Sequence, residues 1–94
     1  MIFDFEWDDA KAAQNVQKHG VTFAEASTIF DDAFMVTAAD ATHSDNEDRY
    51  ISIGLSAQGQ TLVVVYTERV RTIRIISARR STPRERRHYE NSNI

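Results

Sequence analysis

Apolar and polar positions along the 94-residue chain change their period several times, and each change marks an element. Phe3, Phe5 and Trp7 alternate with Asp4, Glu6 and Asp8, the period-2 pattern of a short half-buried strand. Asp8 or Asp9 can cap a helix that runs to about His19, with Ala10, Ala12, Ala13 and Val16 on its apolar side and Gly20 as its stop. Thr22-Phe23-Ala24-Glu25 fits a capping box, in which the threonine hydroxyl and the glutamate each satisfy a backbone N–H of the other. The second helix ends near Asp31-Asp32.

Four strands are predicted next: Phe34–Ala39, Arg49–Ser56, Thr61–Thr67 and Thr72–Arg79. Ile51, Ile53 and Leu55 alternate with Tyr50, Ser52 and Gly54, which gives the second of these one buried face, assigned to the isoleucines. Residues 41–48 are a polar loop, Ala57-Gln58-Gly59-Gln60 a hairpin turn and Glu68 to Arg71 the next turn. Leu62 to Tyr66 is continuously apolar, as a central strand is. A last helix starts at Thr82-Pro83-Arg84-Glu85, with a cap, a proline at the first helical position and a second capping box. The order is (β)ααββββα. The expected fold is a single α+β domain over residues 1–94, with two N-terminal helices and one C-terminal helix on a mainly antiparallel sheet of four to five strands.

Charge divides the chain. Residues 1–48 hold eleven Asp and Glu against two Lys, a net −9, whereas residues 49–94 hold nine Arg against three Glu, a net +6. Arginine suits phosphate because its planar fork donates two parallel hydrogen bonds and keeps its charge. The competing explanation is that the two halves neutralise each other through surface pairs. The chain has no cysteine, which excludes disulfides and thiolate metal sites, and no apolar run approaches the ~20 residues of a membrane span. The acidic start does not read as a signal peptide, so a cytoplasmic protein is expected, without a membrane role.

Several residues can carry chemistry. Lys18 and His19 sit at a helix C-terminus, where the helix dipole favours them; they only terminate the helix, or one of them meets a phosphate or shuttles a proton. Glu47 and Arg49 can form a base and a phosphate clamp at the rim of the sheet, while Asp48 reads as a solvated loop end. Arg74 lies within the apolar run Ile73-Arg74-Ile75-Ile76 and must face an uncovered surface or be paired. In an unbulged strand it points opposite to Arg79 and with Arg80. Tyr89 either covers the core or offers its hydroxyl. Arg69, Arg80 and Arg84 are expected to hold RNA phosphates. His19, His43 and His88 lack metal-ligand spacing, so neither metal nor cofactor is expected. There is no Ser-His-Asp pattern, Gly-rich phosphate loop or paired-carboxylate motif. An arginine-rich sheet suits RNA cleavage in which the substrate's 2′-hydroxyl is the nucleophile and the protein supplies positioning, proton transfer and positive charge.

The motifs in order resemble the BrnT family. They are Glu6-Trp7-Asp8, Lys11, Asn15, Lys18-His19-Gly20-Val21, Phe23, Glu25-Ala26 and Phe30-Asp31-Asp32. His43 with Glu47-Asp48-Arg49, Ile73 to Arg80, Arg84-Glu85-Arg86 and Tyr89 complete the series. The turn Glu68-Arg69-Val70-Arg71 departs from the polar or glycine-containing turn of that family. The resemblance implies a RelE-like fold and a metal-independent endoribonuclease toxin of a type II toxin–antitoxin pair, which cleaves RNA and halts translation. It also implies a BrnA-like ribbon-helix-helix antitoxin, in a complex of two toxins and two antitoxins, through which alone operator DNA is reached. The site residues drawn from this reading are Lys18, His19, Glu47, Arg49, Arg74, Arg79 and Tyr89 for catalysis. A non-catalytic nucleic-acid-binding or antitoxin-binding module is the alternative.

Overall fold

Aromatic side chains spaced two apart anchor the start of the chain. Phe5 packs on Phe30 with ring centroids 5.4 Å apart, and Trp7 meets Phe23 edge-on at 6.0 Å. Strand alternation then turns Asp4 and Glu6 outward. The computed structural model describes residues 3–40 and 49–92. Its elements are β1 (Asp4–Glu6), α1 (Asp9–His19), α2 (Phe23–Ser27) continuing into a 3₁₀ turn (Thr28–Asp31), β2 (Val36–Ala39), β3 (Arg49–Leu55), β4 (Thr61–Arg69), β5 (Thr72–Arg80) and α3 (Pro83–Asn91). The predicted order holds, with the strand expected from Phe34 starting at Val36.

The caps follow the sequence with one difference. The Asp8 carboxylate accepts from the Lys11 N–H, and Gly20 ends α1 at φ 69, a left-handed conformation that suits glycine. The box at Thr82 and Glu85 is complete. At Thr22 only half of the box forms. Thr22 accepts from the Glu25 N–H, but the Glu25 carboxylate instead accepts from the Ser56 hydroxyl at 2.7 Å and the Gln60 amide at 2.8 Å. It thereby ties α2 to the turn between β3 and β4.

The strands form one sheet in the order β1-β5-β4-β3-β2. Each successive pair from β2 to β5 is antiparallel, but β1 lies parallel to β5, so the sheet is mixed. The parallel pair arises because β1 is separated from β5 by two helices and the three other strands and joins its outer edge, where no hairpin dictates direction.

One sheet face carries Leu62, Val64, Tyr66, Ile73, Ile75 and Ala78, which pack with Val21, Phe23, Ala26 and Ile29 to form the core. On β3 this face is the one bearing Tyr50, Ser52 and Gly54, which corrects the assignment made from the isoleucines. Ser52 is buried between Thr37 and Tyr66, bonding each through its hydroxyl at 2.8 and 2.7 Å. Gly54 lies so close beneath the 3₁₀ turn that a Cβ there would come within 2.9 Å of Ile29 Cβ. Tyr50 stacks on Tyr66. Small and hydrogen-bonded residues let β3 approach the helices, and Ile51, Ile53 and Leu55 turn to the other face.

β5 contains a bulge. Val65 pairs with Ser77 and Tyr66 with Ile75, which leaves Ile76 as an extra residue. The bulge reverses the alternation, so Arg74 and Arg79 emerge on the same face, away from the core, and Arg80 on the opposite one. The arrangement expected of an unbulged strand therefore does not apply here. Beyond the three-residue β1 the outer edge of β5 would be bare, and Asn15 of α1 covers it. Its side-chain amide donates to the carbonyls of Ala78 and Val21 at 2.8 and 2.9 Å and its oxygen accepts from the Ala78 N–H at 3.1 Å. The side chain acts as a one-residue strand.

Asn15→Ala strips three buried backbone groups of their partners, and it should lower unfolding free energy by roughly 2–4 kcal/mol. Urea denaturation measures this; a loss below about 0.5 kcal/mol would mean that the edge is held by other contacts.

Candidate functional site

Register brings four polar side chains into one row across the face opposite the core. Arg49 of β3 pairs with Thr67 of β4, Thr67 with Arg74 of β5, and Arg74 with Glu6 of β1. Each is turned to this face by its neighbours. Ile73 and Ile75 are buried on either side of Arg74, and Phe5 and Trp7 are inward on either side of Glu6. Glu6, Thr67, Arg69, Thr72 and Arg74 line a cleft of about 240 Å³. An Arg74 guanidinium nitrogen lies 3.6 Å from Glu6 Oε1, with both side chains about half exposed. Arg49, Arg69 and Arg74 are therefore gathered, while Thr67 and Glu6 join them without having been singled out as site residues.

Arg79 shares the face but lies about 15 Å further along β5, at the ~3.3 Å rise of a strand. It is held by α3, making two parallel bonds of 2.8 Å to the Glu85 carboxylate. That pairing holds the Glu85 carboxyl down at about 2, against burial, which works the other way, and with help from the Thr82 N–H. The same bonds raise the Arg79 guanidinium further. The far end of α3 is fastened by Tyr89, whose hydroxyl donates to Asp32. Burial first, and then the bond to Asp32 and its charge, push the Tyr89 phenol up to about 12. For Asp32 burial is the largest influence and acts upward, but the N–H groups of Leu55 and Phe34 and the Tyr89 hydroxyl outweigh it and hold the carboxyl below its ordinary value. Tyr89 is thus a fastening for α3 in this arrangement, and none of its side chains is buried.

A second concavity, about 620 Å³, lies between α3 and the β3–β4 turn, with Arg80, Arg86, Arg87, Gln60, Leu55 and Tyr89 among its walls. Arg80 donates to the Gln60 side-chain carbonyl. Its guanidinium also passes 4.0 Å from where a Gly20 Cβ would stand, so the end of α1 with Lys18 and His19 borders Arg80. α1 packs on the core face, so Lys18 and His19 are across the sheet from Arg74 and Arg79. Arg84 is exposed on α3. Glu47 and His43 lie outside the described residues. Among the described residues, no three His, Asp or Glu side chains gather as a metal site would require.

Four of the residues that shape these sites were out of reach of local pattern. Glu6 and Thr67 enter the cleft through pairing between distant strands, and alternation alone separates Glu6 only from the aromatic side of its own strand. Asp32 and Gln60 belong locally to a helix end and a turn, but their side-chain bonds reach 57 and 20 residues along the chain.

The profile of the family described as the ribonuclease toxin BrnT of a type II toxin–antitoxin system matches residues 7–85. The chain belongs to the BrnT family. Among solved structures, the 1.1 Å crystal structure of the Brucella abortus ribonuclease toxin BrnT aligns with a TM-score of 0.62 at 22% identity, covering 85% of this chain and 97% of that one. No individually curated protein matches it. As a BrnT-family protein the chain is a ribonuclease toxin of a type II system, with an antitoxin as its counterpart. The matched residues hold Arg49, Arg69, Arg74, Arg79 and Glu85 of this BrnT-family chain, and they stop short of Tyr89.

The depressed Glu85 carboxyl fixes the sign of an acid effect. Its folded value of about 2 lies below the ordinary 4.5, so its stabilisation is complete above pH 4.5 and is lost as pH falls toward 2. Asp32 acts in the same direction. Glu85→Gln should melt at a lower temperature than the parent at neutral pH, and the two melting curves should converge as pH drops through that window. A gap independent of pH would contradict the role given to the ion pair.

Proposed function

We propose that this BrnT-family toxin is a metal-independent endoribonuclease that cleaves RNA with the substrate's own 2′-hydroxyl and so inhibits translation in the cytoplasm. The single observation that carries the reading is the row of Arg49, Thr67, Arg74 and Glu6, with Arg69 beside it, on a sheet face turned away from the core. Attack of the 2′-oxygen on phosphorus builds negative charge on the phosphoryl oxygens. Guanidiniums brought to that face by the strand register stabilise the charge at small reorganisation cost. Arg74 is assigned the central phosphate contact and Arg49 and Arg69 the flanking ones, with Arg79 extending the track toward α3 and Arg80 and Arg84 holding more distant phosphates. Lys18 and His19 are assigned contact with RNA that passes the rim of the sheet near Arg80, and Glu47 stands as a candidate for proton transfer. Tyr89 contributes by fixing α3. The fold is read as RelE-like.

The partner is proposed to be a BrnA-like ribbon-helix-helix antitoxin, two copies with two toxins, which alone contacts operator DNA. Its simplest silencing mode is to cover the arginine face. Ile51, Ile53 and Val65 share that face with the arginines and are half-buried, so it suits an acidic amphipathic segment.

Expression in a host lacking the antitoxin should arrest growth, and purified protein should cleave RNA, free or on translating ribosomes, in the presence of EDTA. A folded protein with no effect in either assay would favour the binding-module reading. Arg74→Ala should reduce cleavage by about ten- to a hundredfold, the equivalent of one charge-assisted contact of roughly 1.5–3 kcal/mol. Arg79→Ala should do the same while also loosening α3. Full activity in both, with the fold intact, removes them from the phosphate track.

The rate at which the antitoxin captures the toxin should fall with salt, since opposite charges steer the encounter only within a Debye length of about 8–10 Å. A rate insensitive to salt, or a complex that still cleaves RNA, would point instead to binding on the acidic N-terminal half.

A further inference from the structure

The geometry points to Glu6 as the base that takes the proton from the RNA 2′-hydroxyl, an inference that rests on the reading of this face as an RNA-cleaving one. Glu6 ends β1 and stands opposite Arg74 in the register, at the wall of the cleft formed with Thr67, Arg69 and Thr72. Its placement is rigid on both sides. Phe5 is packed on Phe30 and Trp7 on Phe23, and Asp8 caps α1 two residues later. The groups facing it are Arg74 of β5 at 3.6 Å, Arg69 of β4 across the cleft, and Asp4 on its own strand, which points the same way. A phosphate held by Arg74 and Arg69 brings the adjoining ribose to the carboxylate that already borders Arg74.

The step balances without a further reactant. Glu6 accepts the 2′-hydroxyl proton as the 2′-oxygen forms its bond to phosphorus. The bond from phosphorus to the 5′-oxygen breaks, and that oxygen takes a proton from solvent. The products are a 2′,3′-cyclic phosphate and a 5′-hydroxyl, after which Glu6 returns its proton to water.

The variant Glu6→Gln separates a base from a residue that only orients Arg74, because glutamine still accepts a hydrogen bond but cannot take up the proton. Single-turnover cleavage of a short single-stranded oligoribonucleotide, alone or on ribosomes as the parent requires, should fall about a hundredfold or more. Affinity for the same oligonucleotide carrying 2′-deoxyribose at the cut should stay within threefold. The rise of the parent's rate with pH should disappear, and Glu6→Asp should recover part of the rate. Glu6→Gln cleaving within threefold of the parent with the same pH profile would overturn the assignment. So would loss of the rising limb in Glu47→Gln but not in Glu6→Gln. A parent protein that cleaves no RNA in either format would defeat the ribonuclease reading itself, and this assignment with it.

Discussion

Strand β5 is held from one side by the side chain of Asn15, which satisfies both backbone groups of Ala78 where β1 is too short to reach. Much of the surface chemistry depends on this clamp. It seats α1 on the core face and closes an edge that would otherwise invite pairing with another chain. It also fixes the phase of β5 just past the extra residue Ile76. With Ala78 inward on one side of the bulge and Ile73 and Ile75 inward on the other, Arg74 and Arg79 have no choice but to share the outer face. A one-residue shift would send Arg79 into the helices.

The two arginines then differ in how tightly they are engaged. Arg79 donates a fork to Glu85, and its release would undo the start of α3. Arg74 meets Glu6 at 3.6 Å with both side chains half exposed, a pairing of the kind worth only about 0–1 kcal/mol. A phosphate can therefore take over the Arg74 guanidinium at small cost, whereas at Arg79 it must compete with a bidentate carboxylate. The cleft between β1, β5 and β4 is the more responsive end of the face, and α3 is the more structural end. α3 has no buried side chain and is fastened by Glu85 at its start and Tyr89 near its end. It is attached to the sheet chiefly through polar contacts.

Much of the fold was legible locally. Alternation at Phe3, Phe5 and Trp7, the caps at Asp8, Thr22 and Thr82, and the stop at Gly20 all have causes within a few residues. The exceptions arose where a side chain answers to a distant element. Ile51, Ile53 and Leu55 looked like the core face of β3 because apolar residues usually are, but Gly54 and Ser52 allow a closer approach of the strand to Ile29 and Tyr66. The bulge at Ile76 has no signature in the run Ile73-Arg74-Ile75-Ile76-Ser77, where either phase buries apolar groups. Half of the capping box at Thr22 was lost to Ser56 and Gln60, more than thirty residues away. Of the candidate site, the arginines were visible from composition. Their partition between a cleft, a helix fastening and a groove needed the register.

The central claim is that RNA lies on the face opposite the core, across Glu6, Arg74, Thr67 and Arg49. Backbone amide shifts of the labelled protein, titrated with a short oligonucleotide blocked by 2′-O-methylation, test it directly. The largest changes should fall on the ends of β1 and β3 and on Thr67, Arg69, Thr72 and Arg74, with smaller ones at Arg79. Changes confined to the end of α1 at Lys18 and His19 and to the groove beside Arg86 and Arg87, with the row unmoved, would contradict it.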